Sequence, residues 1–394
     1  MIYQTPALGR EEQLALTKIA DVQRDLRYYV AEPRRWVGSV RRVLAARAIQ
    51  GSNSIEGFHV SVEDAIAAVE GEEPEEAALV DRQAVLGYRR AMTYVIQLAD
   101  DPHFAYTPAL IRSLHFIMTE YTLEASPGRW RRGPIWVRND ATGEVVYEAP
   151  EADLVPDLID ELVGALDAEA GSPAMVRAAM THLNLVMIHP FRDGNGRMAR
   201  CLQTLVLARE QILAQELRSI EEYLGRNTDA YYRILADVGQ GRWRPHGDAL
   251  PWVRFSLAAQ YIQAISVLRR IRESERIWSE LDALRQRHRL GERTLAALFD
   301  AAIGLRVRNT TYRTILRNQW QEELSSQVAT LDLRAMTRAS LLVQHGNKRG
   351  AFYTAAPTVV QVTARVREGR VPISADELFT PDIDLTEPPL PLEE

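Results

Sequence analysis

A histidine, a carboxylate and two arginines fall within one short segment, His189-Pro190-Phe191-Arg192-Asp193-Gly194-Asn195-Gly196-Arg197-Met198-Ala199-Arg200. The apolar stripe before it (Met175, Ala179, Leu183, Val186, Met187) is helical in period and stops at His189-Pro190, because a residue preceding proline disfavours the helical conformation. Gly194-Asn195-Gly196 then opens the next helix. Two glycines at such a turn let backbone N–H groups converge, and a helix N-terminus adds partial positive charge, so the segment is suited to a phosphate. Arg197 and Arg200 offer guanidinium forks for further phosphate oxygens. Asp193 beside a polyphosphate suits Mg²⁺ in a carboxylate, phosphate and water shell. His189 is left free to serve as a base. Each feature alone is commonly a helix end, a turn or a solvated arginine pair. The lack of G-x-x-x-x-G-K-[ST] excludes a P-loop, and His189 with Asp193 would be too few ligands for a resident metal.

The elements that position these residues are mostly helical. Residues 9–50 read as helix, and Gly51 to Gly57 (GSNSIEG) reads as a helix break on either side of a short segment ending in Glu56. Ser61 with Asp64 caps the next helix, and Thr107 followed by Pro108 caps another. Residues 127–150 change character, with β-branched and aromatic runs around Asp-Ala-Thr-Gly, and predict one β-hairpin. Helices follow at 152–168, 173–188, after 195 and on to about 290. In the helix from Met198, Arg197 and Arg200 lie roughly 150° from the apolar face, away from its core. Residues 292–355 read as two helical segments and a strand-turn-strand wing, a winged-helix pattern. From Asp376 there are seven acids, several prolines and no basic residue, which predicts a loosely packed tail.

Composition bounds the function classes. With Asp+Glu 53 against Lys+Arg 47 the formal charge is −6, so the whole chain is no polybasic nucleic-acid coat. Between 301 and 355, however, eight basic residues face three acids, which leaves DNA binding, dimerisation and protein docking all open for that segment. A single cysteine, Cys201, forms no intrachain disulfide and supports no Cys-based zinc site. It reads, like His182, as core, and a reducing, cytoplasmic setting is expected. No run of about 18 apolar residues predicts a membrane span.

HPFRDGNGRMAR matches the H-x-F-x-[D/E]-G-N-G-R-x-x-R signature of Fic domains at every defined position, and the chain resembles the Fic/Doc superfamily over roughly residues 40–260. The resemblance implies a mainly α fold: a Fic-type helical bundle with one β-hairpin flap beginning at Gly128-Arg129, followed by a C-terminal winged-helix domain. It implies transfer of AMP from ATP to a Ser, Thr or Tyr hydroxyl of a target protein, the chain itself included, with ATP as co-substrate and Mg²⁺ as cofactor. By the family's pattern His189 is the base, Asp193 binds Mg²⁺, Gly194, Asn195 and Gly196 hold the α-phosphate, and Arg197 and Arg200 hold the outer phosphates. Ser52 to Gly57 resembles the [S/T]-x-x-x-E-[G/N] motif of inhibitory helices, with Ser52 and Glu56 inhibitory and Glu56 pairing with Arg200. Backbone from Val137 to Asp140 would border ATP, and Tyr231 and Tyr232 would face the nucleotide, with two core aromatics as the alternative. The implied organisation is a helical N-terminal region (1–105, inhibitory helix around 50–57), a catalytic core (106–262), connecting helices (263–290), a winged-helix-like domain (291–358) and an acidic tail (359–394). Alternatives are a DNA-binding regulator with the Fic domain as nucleotide sensor, or a Fic enzyme of different transfer or de-AMPylation activity. Implied partners are ATP and a hydroxyl-bearing protein, with a homodimer and DNA through 291–358 as open options and no membrane.

Overall fold

A computed structural model of the chain describes residues 1–31, 34–71, 77–138, 142–168, 171–210, 219–347 and 350–380. The described residues are mainly helical. The N-terminal part holds α1 (Arg10–Ala31), α2 (Val37–Ile55), α3 (Val62–Glu70), α4 (Leu79–Ala99) and α5 (Pro108–Thr119). A hairpin of β1 (Trp136–Arg138) and β2 (Val145–Glu148) follows, then α6 (Val155–Ala168), α7 (Ala174–Ile188), α8 (Asn195–Arg209), α9 (Glu221–Arg226) and α10 (Thr228–Gly239). The C-terminal part comprises α11 (Leu250–Arg287), α12 (Thr294–Ala302), α13 (Asn309–Ile315), α14 (Ser326–Arg338), a hairpin of β3 (Leu342–His345) and β4 (Phe352–Ala355), and α15 (Pro357–Arg367).

Local chemistry sets several of these boundaries. Ser61 Oγ accepts from the Asp64 N–H at 3.0 Å and opens α3, and Thr107 Oγ1 accepts from Leu110 N–H at 3.0 Å with Pro108 in the first turn of α5. Nearly every residue of α7 is buried, so it lacks a polar face and forms the centre of the bundle, paired along its length with α8. Two apolar clusters flank this pair, a third fills the C-terminal part, and α2 contributes to all three. Val40 and Leu44 join the cluster shared with α11 to α15, Val43, Ala46 and Ile49 join the one around α4, α5 and α8, and Ile55 joins the one around α7 and α10.

Four expectations need correction. The helix expected over 9–50 is two helices, α1 and α2. Gly51 is no break: α2 runs through it to Ile55, and the position is glycine because a Cβ there would collide with the Glu221 carbonyl of α9, where Gly225 meets Gly51 in turn. The glycine is a packing device between two helices. The tail expected from residue 359 begins as helix, with Val359 and Val362 of α15 buried, and Leu378 is buried further on while Lys18 Nζ donates to the Glu377 and Thr380 carbonyls. Residues 381–394 lie outside the described part. Finally, α11 crosses residue 262 and α15 crosses residue 358 without interruption, so no loop marks either expected boundary.

Candidate active site

The loop between α7 and α8 is built around a strained residue. His189 caps α7 with φ 52 and ψ 56, a left-handed conformation that a non-glycine residue adopts only when its surroundings hold it there. Arg131 does the holding. Its Nε donates to the His189 carbonyl at 2.8 Å, Nη2 reaches the carbonyls of Ile188 and Pro150, and its own N–H donates to the Pro190 carbonyl at 2.9 Å. The hairpin is moored to the same place, since Tyr147 of β2 donates its hydroxyl to the Met187 carbonyl at 2.7 Å. Val137, half-buried on β1, pairs with Tyr147, whereas Asn139 and Asp140 lie outside the described residues.

The next four residues are fixed by two reciprocal contacts. Asn195 accepts from the Phe191 N–H at 2.8 Å and donates to the Phe191 carbonyl at 2.9 Å, closing the turn with its side chain. The Phe191 ring is buried and stacks on His115 of α5, centroids 3.7 Å apart and planes 3° apart. His115 Nδ1 accepts from the Gly128 N–H at 2.9 Å, so its Nε2 carries the proton and donates to the Asp193 carbonyl at 2.9 Å. Burial lowers the His115 pKa to about 4, which keeps this imidazole neutral and the tautomer fixed. Gly194 has φ 77 and starts α8 at Asn195.

His189 Nδ1 lies 3.0 Å from the Val186 carbonyl, which can only accept, so Nδ1 bears the proton and Nε2 the lone pair. Burial holds this imidazole below its ordinary pKa, against the opposing pulls of the Val186 carbonyl and Glu56. A neutral, oriented imidazole is a competent proton acceptor at neutral pH. Asp193 is exposed, with one oxygen 3.4 Å from Arg197 Nη2. One exposed carboxylate at the mouth of a helix N-terminus fits Mg²⁺ carried in by phosphates, and among the described residues no group of three His, Cys, Asp or Glu could hold a metal unaided.

Arg197 and Arg200 are both buried, on a face of α8 other than its apolar one. Their face of α8 is covered by α2 and the segment after it. Arg197 lies over the Phe58 ring at 4.7 Å. Arg200 donates from Nε to Ser52 Oγ at 2.8 Å, and from Nη2 to the Ser52 carbonyl at 2.9 Å and Glu56 Oε1 at 2.8 Å, leaving Nη1 buried without a partner. Burial alone would raise the Glu56 pKa, but Arg200 and then Arg197 outweigh it and hold the carboxyl below its ordinary value. Gly196 makes room for this: a Cβ there would collide with the Glu56 carboxylate. The carboxylate therefore sits against the first turn of α8, where an anion is favoured.

The two tyrosines expected to face a nucleotide separate. Tyr232 is 48% exposed and donates its hydroxyl to the Ile55 carbonyl at 2.8 Å, pinning the end of α2 next to Glu56. Tyr231 is 1% exposed, 2.9 Å from His182 and packed near Trp252, so it offers no free face to a nucleotide and is a core aromatic behind Arg200. His115, Arg131 and Tyr147 are the loop-holding residues that motif reading misses. They lie far from the motif in sequence, and a histidine on an apolar helix face or an arginine before a hairpin carries no distinguishing local pattern.

The Fic/DOC family model matches residues 105–207, which contain the α7–α8 loop and the His115 and Arg131 that brace it. That segment is a Fic/DOC family domain. Protein adenylyltransferase Fic of Nematostella vectensis is 29% identical over 210 residues, 52% of this chain and 45% of that protein. Protein adenylyltransferase fic-1 of Caenorhabditis elegans is 44% identical over 97 residues, 24% of this chain and 16% of that one. The chain thus spans less than half the length of these Fic relatives. Among solved structures, a Fic family protein from Desulfovibrio desulfuricans G20 covers 90% of this chain and 99% of its own at a TM-score of 0.56 and 22% identity. Fic-1 from C. elegans covers 67% and 73% at 0.52 and 19%. At these identities the likeness establishes a shared Fic fold.

Proposed function

We propose that this Fic protein is a protein adenylyltransferase held off by its own α2. ATP would lie with its phosphates at the Gly194-Asn195-Gly196 turn, using the α8 N-terminus, Arg197 and Arg200. His189 Nε2 takes the proton of a Ser, Thr or Tyr hydroxyl on a target protein or on the chain itself. The hydroxyl oxygen bonds to the α-phosphorus as the bond from that phosphorus to the bridging oxygen of the β-phosphate breaks, and pyrophosphate leaves. Asp193 is the residue for Mg²⁺, which when bound would offset phosphate charge. The tyrosine side of the site keeps only Tyr232 as a candidate for adenine.

What supports the reading most is the Glu56 carboxylate on Arg200, 2.8 Å away, against the first turn of α8. A guanidinium already satisfied by a carboxylate and by Ser52 has little left for a γ-phosphate, so ATP would bind without its α-phosphate in line for attack. The test is incubation of wild type and Glu56→Gly with ATP and Mg²⁺, followed by mass spectrometry for AMP on hydroxyl side chains. AMP on the variant, with much less on wild type, is the expected result. No AMP on Glu56→Gly protein that binds ATP overturns the transferase reading, and equal AMP on both overturns the autoinhibition.

We further propose that residues 291–358 form a winged helix. In favour are the order α12, α13, α14, β3, β4 and a third strand-like contact, where Val307 and Tyr353 exchange N–H···O bonds of 2.9 and 2.8 Å.

A further inference from the structure

Along the first half of α2, a cavity of about 220 Å³ opens between α2, α9, α11 and the end of α15. Five guanidinium groups line it, from Arg47, Arg226, Arg270, Arg367 and Arg370, and Val40, Leu44 and Ile277 are among its apolar walls. The carboxylates there do not balance them. Glu222 is fully engaged by Arg270, through two contacts of 2.6 Å, and by Arg226 at 2.8 Å. Glu273 is taken on both oxygens by Arg370. Arg47 is left 3.5 Å from Glu222 with its Nε buried and without a hydrogen-bond partner, and Arg367 is left 4.0 Å from Glu273.

The electrostatics of the cavity agree with this imbalance. Burial, and then the neighbouring Arg270, hold Arg47 below the ordinary guanidinium range, with Glu222 opposing them. Burial and then Arg370 do the same for Arg367. Such positions are costly unless an anion joins them, and guanidinium forks are matched to phosphate oxygens.

We infer that this cavity is a second anion site, separate from the α7–α8 loop, that takes a compact phosphate-bearing molecule carrying at least two negative charges. The ligand bridges Arg47 on α2 to Arg367 after the C-terminal hairpin, with Arg226 and Arg270 behind it. By neutralising these guanidiniums it fastens α2 to α9, α11 and α15. The site stands whether or not the protein transfers AMP.

Pyrophosphate and inorganic phosphate serve as probes, by calorimetry and by thermal unfolding of the full chain, with sodium chloride at matched ionic strength as the control. Pyrophosphate should bind and raise the melting temperature, phosphate less so and chloride not at all. The Arg47→Gln, Arg367→Gln pair should melt no lower than wild type without ligand, since it removes like charges beside Arg270 and Arg370, yet bind pyrophosphate at least about tenfold more weakly. Arg367→Gln alone, on a side chain 42% exposed, repeats the measurement with less demand on folding and should show part of that loss. Unchanged pyrophosphate affinity in both variants would place the anion at α8 instead and overturn the inference. So would an equal melting shift from chloride, or no binding to wild type.

Discussion

At the scale of single residues, two side chains carry opposite duties within one loop's reach. His189 is oriented by Val186 and kept neutral by burial. Its replacement by Ala in a Glu56→Gly background should cost about 10²–10⁴ in AMP transfer while ATP affinity changes only a few-fold, because other groups hold the phosphates. Single-turnover transfer beside equilibrium ATP binding checks this, and undiminished transfer removes His189 from the role. The depressed pKa has its own signature: the acid limb of the transfer rate should fall below the ordinary histidine value. It should move lower still in Glu56→Gly, which loses a carboxylate that favours the imidazolium. An acid limb above pH 6.5 in both proteins would contradict it. Glu56→Gly also exposes what the pair does for folding. Arg200 retains two bonds to Ser52, so the loss should stay under the roughly 3–5 kcal/mol of a fully orphaned buried charge, and ATP should recover it.

At the scale of elements, α2 is more than a carrier for Glu56. It enters all three apolar clusters, so its body cannot swing away without unpacking the molecule, and release of Arg200 is a matter for its last turn. That turn is held by Gly51 against α9 and by Tyr232 on the Ile55 carbonyl. Gly51→Ala is informative here. In an open helix interior the change gains about 1 kcal/mol, whereas here the new methyl meets the Glu221 carbonyl and should cost about 1–3 kcal/mol. Displacing α2 from α9 should also raise AMP incorporation above wild type. Denaturant titration and automodification, measured on the same preparation, test both halves, and a stabilised, unactivated variant would show that the contact gives way without moving Glu56.

At the scale of the whole molecule, buried titratable groups set a pH dependence. The folded-state pKa is lowered by burial to about 4 for His115 and about 3 for His182. Between those values and 6.5 the unfolded chain binds more protons, so their contribution is complete above the unfolded value and is lost as pH falls. Glu221 has the opposite sign. Burial raises it to about 7, the folded state binds the extra proton between about 4.5 and 7, and stability falls as pH rises through that window. Two histidines outweigh one carboxyl, so the melting temperature should rise from pH 5 to 6.5. Glu221→Gln should steepen that rise, because the opposing group is gone while its Tyr88 and Thr204 neighbours keep a partner. A flat profile in both proteins would mean that these histidines titrate normally.

The twelve residues from His189 to Arg200 determined the candidate chemistry by themselves, since nucleophile activation, phosphate binding and metal binding all depend on neighbours one turn apart. Helical period and capping residues likewise set α3, α5, α7 and α8 locally. Long-range packing decided the rest. Gly51 reads as a breaker because helix propensity is local, yet the approach of α9 makes glycine the residue that fits inside a helix. Arg197 and Arg200 read only as lying off the apolar face of α8, because a wheel knows only one helix, and what covers them, α2 with Phe58, comes from the fold. Tyr231 turns to core for the same reason, and His115 and Arg131 reach the loop from about 60 to 80 residues upstream. A side chain's partner across the fold depends on which surfaces are buried together, and no spacing along one chain encodes that directly.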